Sequence, residues 1–455
     1  LKQIAPDTNI DAWLVTVSDA AVIDVEDGTW RFSHDKLREG VLKQLSADDR
    51  RDLHRDVALA IEQLYPDDPK YTVPLAMHWR QAQDETKERA YALKAAEQLN
   101  TIFAIEDAGR YYQRALDLTP KGTPEYLDLL IKLSNTHSLG QYQRARTYLK
   151  EAIELAEALD DKRNLAQAYG QLSRMSMLRD GDWATSEAYS QKALSYVRQT
   201  EDRAGLSEVL RHVGNLFIYK GQWEEAATYL KESIEHARAV GDVFLEGMAV
   251  NSLSDAYAKR NKGDDHDVAI KLSERTRDIG RELGHRRLVM MGVAHIGLVA
   301  MHRQDYELAY QQFAEAYKLT KQTRDYEQYG KVGNYVGICL YGLHRYDDAK
   351  AMFREALSVS IDNDSMPEVI RSLTGIALVW LSEGQVRDAL RLLALALNEP
   401  RCTSETHALA DDIYADLQTQ FDTAERDALI ASGQALDIDH VAQTMRESLH
   451  LPPSA

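Results

Sequence analysis

The chain has 455 residues, of which 44% are hydrophobic, so it can bury a substantial core and is not expected to be disordered. Its 54 Lys and Arg residues against 72 Asp and Glu residues give a formal net charge of −18 at pH 7. Such a surface repels the phosphates of nucleic acids and of anionic lipids, which excludes nucleic acid and membrane surfaces as expected partners.

The cysteines and the chain ends bear on the cellular compartment. Cys339 and Cys402 are far apart in the sequence and fit no disulfide, metal or redox spacing, which favours a reducing compartment, here the cytoplasm. No apolar run is long enough to span a bilayer, and no signal-peptide pattern is present. The chain begins at Leu1 within an apolar helical pattern, so we expect it to be a piece of a longer polypeptide.

The first predicted feature is a β-hairpin between two helices. Two strand-like runs, residues 21–25 and 29–32, flank the pair Asp27-Gly28, which favours a type I′ turn. Helices are expected before it, over residues 11–20, and after it, over residues 35–45. A helix, a hairpin and a helix in this order form the tail of a winged-helix module.

The next predicted helix begins after Ser46 and continues to Leu64. Ser46 is a preferred N-cap residue, and Asp49, three places later, is expected to act as its capping-box partner.

A repeat of about forty residues dominates the rest of the chain. A small residue recurs at intervals of 37 to 43 residues within an apolar helical pattern, and Gly, any residue and an aromatic precede its plainest copies, as in Gly140-Gln141-Tyr142 and Gly221-Gln222-Trp223. The recurring small residues are Ala108, Ala145, Ser186, Ala226, Ala269, Ala309, Ala349 and Ala389. A fixed period of this length indicates stacked supersecondary units.

Each unit is predicted to be a pair of helices. In the second helix, apolar or small residues follow the recurring one four and seven places later, as in Ala309, Phe313 and Ala316, which lines one helical face. The first helix also carries a small residue, often a glycine such as Gly337. Since glycine inside a helix costs about 1 kcal/mol relative to alanine, its recurrence indicates close helix packing. The stretch 259–267 is expected to lengthen one turn between helices.

Over about residues 90–396 this pattern resembles the tetratricopeptide repeat in a form of about forty residues. The likeness is weaker at Ser186, Ser273 and Thr276, where polar residues replace the expected alanines or aromatics. It implies an all-α chain: an α-solenoid of about eight or nine helix hairpins in a right-handed superhelix, preceded by a small winged-helix-like α+β remnant.

A second resemblance covers about residues 21–116 and 424–445. The runs Phe32-Ser33-His34-Asp35 and Leu75-Ala76-Met77-His78-Trp79, and the C-terminal stretch 429–439, are similar to segments of STAND-type signal-transduction ATPases. The resemblance implies a winged-helix remnant and helical arm over residues 1–81, which contacts the ATPase core. The repeat array would then span 82–400 and capping helices 401–455.

The sequence lacks the nucleotide site of that family. No Gly-x-x-x-x-Gly-Lys-Ser/Thr motif is present. The pair Gly330-Lys331 has Asp325 five places before the glycine, where the motif requires another glycine, and Val332 after the lysine, where it requires Ser or Thr. Without this loop to bind phosphates and magnesium, the chain is not expected to hydrolyse ATP.

The resemblance implies a ligand site on the concave face, lined by the first helices of successive units. Asn and Arg side chains there could hold a peptide backbone and its acidic groups by directional hydrogen bonds. The candidate residues are Arg174, Arg211, Asn215, Asn251, Asp255, His295, Asn334 and Tyr341. The alternative is that they are solvated helix residues with no special role.

Other conspicuous residues favour structural roles. His266, among Asp264, Asp265 and Asp267, is more typical of a solvated turn than of a metal site, and His34 suggests capping or interdomain packing. Trp183 and Trp223 fill aromatic positions of their repeats and are expected in the core. No catalytic set is recognisable, and no metal or cofactor is predicted.

The first functional hypothesis is the sensor region of a STAND-type ATPase, monomeric in isolation. Its expected partners are an inducer, which could be a protein, a peptide or a small molecule, and the ATPase core of the parent polypeptide. The alternative is a free-standing tetratricopeptide scaffold for protein–protein interaction. A P-loop encoded upstream would favour the sensor; a nearby start codon would favour the scaffold. An enzyme with a site inside the superhelix is a third possibility that no visible motif supports.

Overall fold

A computed structural model describes residues 1–26, 29–102, 104–137, 142–323 and 325–448. The described chain is helical except for one hairpin, and it divides into two compact units, residues 1–129 and 130–455. Within the described ranges, no helix combines the length and apolar character needed to cross a membrane. The predicted domain boundaries at residues 81 and 400 stay predictions.

The first unit contains the predicted hairpin. Its elements are α1 (Ile10–Asp19), β1 (Ile23–Glu26), β2 (Thr29–Phe32), α2 (Asp35–Gln44), α3 (Ala47–Leu64), a short 3-10 helix (Pro69–Tyr71), α4 (Thr72–Gln81), α5 (Glu85–Thr101) and α6 (Ile105–Asp117). The two strands pair antiparallel, with Ile23 opposite Phe32 and Glu26 opposite Thr29. The hairpin is therefore confirmed, whereas the turn at Asp27-Gly28 lies outside the described residues. That it is a winged-helix remnant stays a prediction.

The start of α3 confirms the predicted capping box. The backbone N–H of Asp49 donates to the Ser46 hydroxyl over 3.0 Å, and the N–H of Ser46 donates to the Asp49 carboxylate over 3.3 Å. The helix then packs on α4, where Leu75 and Trp79 are buried beside Ala58. The Trp79 indole N–H donates to Glu62 over 3.1 Å, so the polar edge of this large side chain is satisfied.

The second unit contains the predicted helix hairpins. Its helices are α7 (Pro124–His137), which spans the division between the units, α8 (Tyr142–Ala158), α9 (Lys162–Met175), α10 (Trp183–Val197), α11 (Arg203–Tyr219), α12 (Trp223–Ala239), α13 (Val243–Arg260), α14 (Asp265–Glu282), α15 (Arg286–His302), α16 (Tyr306–Thr323), α17 (Tyr326–Gly342), α18 (Tyr346–Asp362), α19 (Met366–Ser382), α20 (Val386–Asn398), α21 (Ser404–Gln418), α22 (Thr423–Gln434) and α23 (Ile438–Ser448). Residues 176–180 form a π-helical turn after α9. From α8 to α21, consecutive helices pack on each other, and the first helices of neighbouring hairpins also touch. The solenoid is confirmed; its predicted right-handed twist stays a prediction.

Close packing explains the recurring small residues of the first helices. A Cβ atom on Gly337 would lie 2.6 Å from the ring of Phe353, which is fully buried on α18. Similarly, a Cβ atom on Gly214 would lie 2.6 Å from the side chain of Leu230 on α12. In both hairpins the glycine gives the room that a large apolar residue of the second helix fills.

In two hairpins, serines that stand where alanines were expected form hydrogen bonds with serines of the facing helix. Ser186 on α10 donates to the carbonyl of Ser173 on α9 over 2.9 Å. On α13 and α14, the hydroxyls of Ser254 and Ser273 are 2.6 Å apart. All four side chains are buried, so these pairs satisfy polar groups that would otherwise be costly inside the array.

The turn after α13 is shorter than predicted. The helix continues through Lys259 to Arg260, and α14 begins at Asp265, so residues 261–264 alone connect them. Asn261 ends α13 in the left-handed conformation, with φ of 50°. Asn tolerates this conformation better than most residues, and the helix can therefore stop sharply there.

Within the second unit, late segments return to the ends of early helices. Arg179, in the π turn, donates to the carbonyl of Asn363 over 2.6 Å, and Ser365 donates to that of Leu178 over 3.1 Å. Further on, the hydroxyl of Ser404 donates to the carbonyl of Tyr219 over 3.2 Å. The first two contacts bring the connection between α18 and α19 against the π turn, and the third brings the start of α21 against the C-terminal end of α11.

Candidate functional site: a polar cluster inside the array

Charged and polar side chains from the first helices of successive hairpins meet inside the second unit. We call them the interior cluster: Asp255 and Lys259 on α13, His295 on α15, Asn334 and Tyr335 on α17, Glu368 and Arg371 on α19, and Glu405 on α21. The amphipathic first helices bury their other faces in the hairpins, which leaves these positions facing one another.

Glu405 is the centre of the interior cluster. One carboxylate oxygen lies 3.0 Å from the ammonium of Lys259 and 3.2 Å from the guanidinium of Arg371. The other accepts a hydrogen bond of 2.6 Å from the hydroxyl of Tyr335. Side chains of α13, α17 and α19 thus converge on a single carboxylate of α21.

The charges around Glu405 keep it ionised. Burial by itself would raise the pKa of its carboxyl, but Lys259, Arg371 and Lys331 outweigh this effect and hold the pKa well below its usual range. The Lys259 side chain is 5% exposed and that of Arg371 is 1% exposed, so water screens these charges little.

The interior cluster continues toward α17 through Glu368. Arg371 donates to both carboxylate oxygens of Glu368 over 3.2 Å. Asn334 donates to one of the same oxygens over 3.1 Å and accepts a hydrogen bond of 2.7 Å from Ser372. Asn334 is therefore fully engaged within the protein.

In the other direction, the cluster ends on polar atoms without a partner. Asp255 pairs with Lys259 over 3.3 Å, and its second oxygen lies 3.7 Å from Nε2 of His295. In the described part of the chain, Nδ1 of His295 and Oδ1 of Asn251 are buried and make no hydrogen bond. Burial lowers the pKa of His295 to about 4 because the opposing attraction of Asp255 is too weak to compensate. This end can accept hydrogen bonds from a ligand.

The eight candidate residues fall into separate groups. Asp255, His295 and Asn334 belong to the interior cluster, and Asn251 lies one helical turn before Asp255. Arg211 contacts the buried His212 over 2.8 Å, and the pKa of His212 is lowered by burial and by the charges of Arg211 and Arg174.

Two candidates lie elsewhere. Asn215 is half-buried and makes no side-chain hydrogen bond with described residues. Tyr341 packs its ring 5.6 Å from that of Tyr346, at the turn of its own hairpin. A binding role for the eight residues stays a prediction.

Sequence reasoning missed the residues that carry the charge of this site. Lys259 lay in a stretch expected to be a turn, although its spacing from Asn251 and Asp255 matches one helical face. Arg371 and Lys331 lie in helices where the recurring small residues and the apolar pattern were the features that the sequence analysis used. Glu405 had no sequence signal, because it reaches α13 and α17 through the tertiary fold.

The residues set aside in the sequence have ordinary surroundings. Asp265 pairs with Arg260, and Asp267 contacts Arg303 over 2.7 Å. Among the described residues, no group of three or more His, Cys, Asp and Glu side chains could hold a metal ion. His34 is exposed at the start of α2 and makes no side-chain capping bond.

The two tryptophans are less buried than expected. Trp183 and Trp223 are half-buried instead of lying in the core. Trp183 stacks on Tyr219 with ring centroids 5.9 Å apart, and its indole N–H donates to the carbonyl of Pro400 over 3.3 Å. The tryptophan at this aromatic position therefore also contacts Pro400, in the segment that connects α20 and α21.

Family models for the tetratricopeptide repeat match residues 127–159 and 164–239. With the stacked hairpins, these matches decide the architecture. The array consists of tetratricopeptide-like repeats. Such repeats stack into a scaffold whose inner surface serves for binding.

Similar proteins support the same fold. Tetratricopeptide repeat protein 29 of Trypanosoma brucei brucei is 24% identical over 204 residues, which are 42% of this chain and 42% of that protein. A STAND protein with a tetratricopeptide repeat sensor from Pyrococcus horikoshii superimposes with a TM-score of 0.50 at 18% identity, covering 91% of this chain and 62% of that one. A Rap protein complexed with competence and sporulation factor gives 0.52 at 15% identity, covering 79% and 99%.

The matched region is thus less than half of the curated relative, and the chain covers under two thirds of the STAND protein. At these identities the structural likeness establishes the fold of the array.

Proposed function

We propose that the chain is the sensor region of a STAND-type signal-transduction ATPase and that its array binds an inducer on the interior face of the second unit. The likeness to a STAND protein that carries a tetratricopeptide repeat sensor supports this proposal. The two buried cysteines have pKa values raised to about 12 by burial and remain thiols, which suits a cytoplasmic protein.

The observation that carries the binding proposal is the unsatisfied end of the interior cluster. Buried polar atoms nearly always have a partner, yet Oδ1 of Asn251 and Nδ1 of His295 have none among the described residues. A bound ligand with suitably placed N–H groups would satisfy both. A peptide is the simplest such ligand, because its backbone offers donors at regular spacing.

The first unit suits a contact with another part of the parent protein. Trp13, Val25 and Trp30, on α1 and the hairpin, are 45%, 48% and 42% exposed. Large apolar side chains that remain this exposed are typical of contact surfaces. We propose that this surface faces the ATPase core, and that inducer binding shifts the parent between an inhibited and an active state with different ligand affinities.

The test is selection from a library of short peptides with the purified chain. The wild type is expected to enrich a peptide class, which Asn251→Ala with His295→Ala abolishes. Gln311→Ala, on the exposed face of α16, is the matched control and should enrich the same class. Enrichment that is equal in all three proteins would contradict binding at the interior face.

A second measurement addresses the ATPase parent. The isolated chain should be monomeric. It should also not hydrolyse ATP, since it lacks a P-loop sequence. Measurable turnover by pure protein would contradict the proposal. The alternative is a free-standing scaffold for protein–protein interaction; a start codon close to Leu1, without an upstream P-loop, would favour it.

A further inference from the structure

The connection between α20 and α21 and the first two residues of α21 lie in the interior of the array. We call residues 399–405 the inner strap. The carbonyl of Pro400 accepts from Trp183, the Arg401 side chain lies against Gly181, and Ser404 donates to Tyr219. With Glu405 among Lys259, Arg371 and Tyr335, the strap contacts α10, α11, α13, α17 and α19.

The strap supplies the charge that the interior cluster requires. Among the described residues, the carboxylates that act on Lys259, Lys331 and Arg371 besides Glu405 are those of Asp255 and Glu368. Lys331 forms no hydrogen bond or ion pair with any described residue, and its ammonium lies 5.9 Å from the centroid of the Tyr219 ring. The site therefore has a net positive charge as soon as Glu405 leaves it.

This charge couples release of the strap to the chemistry of the ligand. If Glu405 left the site without a replacement, Lys259 and Arg371 would remain buried without this partner. That is strongly unfavourable, because water screens charges in this site little. If another carboxylate takes its place, the same ion pairs form again. Exchange of one carboxylate for another is thus far easier than simple opening.

We propose that Glu405 is an internal substitute for a carboxylate of the ligand, and that an acidic peptide binds the interior cluster by displacing the inner strap. Lys259, Lys331, Arg371 and Tyr335 would hold the incoming carboxylate. Asn251 and His295, at the unsatisfied end, would accept hydrogen bonds from its backbone. The inference rests on the proposed binding function and adds the ligand class and the element that moves.

The probe is a fluorescent pentaglutamate peptide, with pentaglutamine as the uncharged control. Binding is measured by anisotropy in about 0.15 M salt, where the Debye length of about 8 Å limits repulsion by the acidic surface. Glu405→Gln should bind pentaglutamate at least about tenfold more tightly than the wild type, because the strap competes less for the site. Glu425→Gln, which removes another C-terminal ion-pair carboxylate, should leave the wild-type affinity unchanged.

Two further binding measurements test where the carboxylate binds and whether it must belong to a peptide. Lys331→Met in the Glu405→Gln background should abolish the gain. Free glutamate should bind at least about tenfold more weakly than pentaglutamate, since it lacks the backbone groups that Asn251 and His295 would contact. Equal binding of free glutamate would overturn the peptide as ligand, and equal binding of pentaglutamine would overturn recognition of a carboxylate.

Hydrogen exchange of the wild type tests displacement without any variant. Saturating pentaglutamate should increase exchange of the amides of residues 401–405, and pentaglutamine should not. Bound pentaglutamate with unchanged exchange would overturn the strap as the moving element. Absence of pentaglutamate binding to Glu405→Gln would overturn the inference, whereas interior binding of neutral peptides in the library selection would still support the proposed function.

Discussion

Arg371 is a buried cation held between two carboxylates. Its side chain is 1% exposed and bridges the carboxylates of Glu368 and Glu405. Its guanidinium also lies 5.3 Å from the ring centroid of Tyr335, which is close enough for a cation–π contact. A buried ion pair of this kind contributes little net stability relative to apolar residues, but removal of one partner leaves a buried uncompensated charge.

Arg371→Met should therefore destabilise the chain by roughly 3–5 kcal/mol, because Glu368 and Glu405 lose their shared cation. Arg387→Met is the matched control: this arginine also pairs with a carboxylate, Glu425, but its side chain is 70% exposed. Its loss should cost about 0–1 kcal/mol. Urea unfolding followed by circular dichroism measures both, and equal costs would contradict the burial argument.

His295 makes stability depend on pH. Its pKa is about 4 in the folded chain, against an ordinary value of 6.5, so the unfolded chain binds the proton more readily. Its stabilising contribution is thus present above pH 6.5 and is lost as the pH falls toward 4. Between pH 7 and pH 4.5 the loss should be about 2 kcal/mol.

His295→Gln should remove the contribution of His295 to the pH dependence of the free energy of unfolding. Other buried histidines, such as His212, should keep their own contributions. The measurement is the free energy of unfolding at both pH values for the wild type and the variant. Asp255, Lys259, Lys331 and Glu405 act on His295 and are unchanged in the variant. An identical loss of stability in the two proteins would show that His295 does not titrate as described.

At the scale of the helix pair, a glycine and an aromatic ring set the distance between α17 and α18. The nearest atoms to a Cβ on Gly337 would be ring carbons of Phe353, at 2.6, 2.8 and 2.9 Å. Gly375, on α19, also faces this ring. The ring thus fills space that glycines on two neighbouring first helices leave open.

Gly337→Ala should destabilise the array by about 1–3 kcal/mol, since the overpacking outweighs the better helix propensity of alanine. Phe353→Leu should be destabilising alone but should offset part of the cost of Gly337→Ala in the double variant. A thermodynamic cycle of the four proteins measures this coupling. Strict additivity of the two single costs would argue against contact between these residues.

The sequence predicted which helices are present better than it predicted where each helix ends. The forty-residue period arises from local helix pairs, and periodic apolar positions report such pairs directly. The end of α13 was placed too early because Lys259 and Arg260 look like turn residues when their contacts are unknown. Their pairing with Asp255, Glu405 and Asp265 makes helical positions for them favourable.

At the scale of the whole molecule, each of the two units contains a hydrophobic core of its own. Ala58, Leu75, Trp79 and Ala82 form a core in the first unit. In the second unit, one continuous core extends from Ala258 to Met445. Each unit therefore has its own source of hydrophobic stabilisation.

The fragment of residues 122–455 should fold without the first unit, because two of its hydrophobic cores, one from Ile218 to Ala256 and one from Ala258 to Met445, lie wholly within it. The expected result is a helical circular dichroism spectrum and a cooperative thermal transition. A matched longer fragment, residues 104–455, keeps α6 and should behave in the same way. Loss of the transition in the shorter fragment alone would show that α6 is needed for the second unit to fold.

The sequence by itself determined the helical repeats, the N-terminal hairpin and the capped start of α3, because each depends on residues close together in the chain. The resemblance to the tetratricopeptide repeat also implied that Asp255 and Asn334 lie on the inner face, and their role in binding stays a prediction. The tertiary structure alone decided what these residues meet. The pairing of Lys259 with Glu405 depends on how successive hairpins turn, and many small packing angles, which no local pattern encodes, add up to bring α21 against α13.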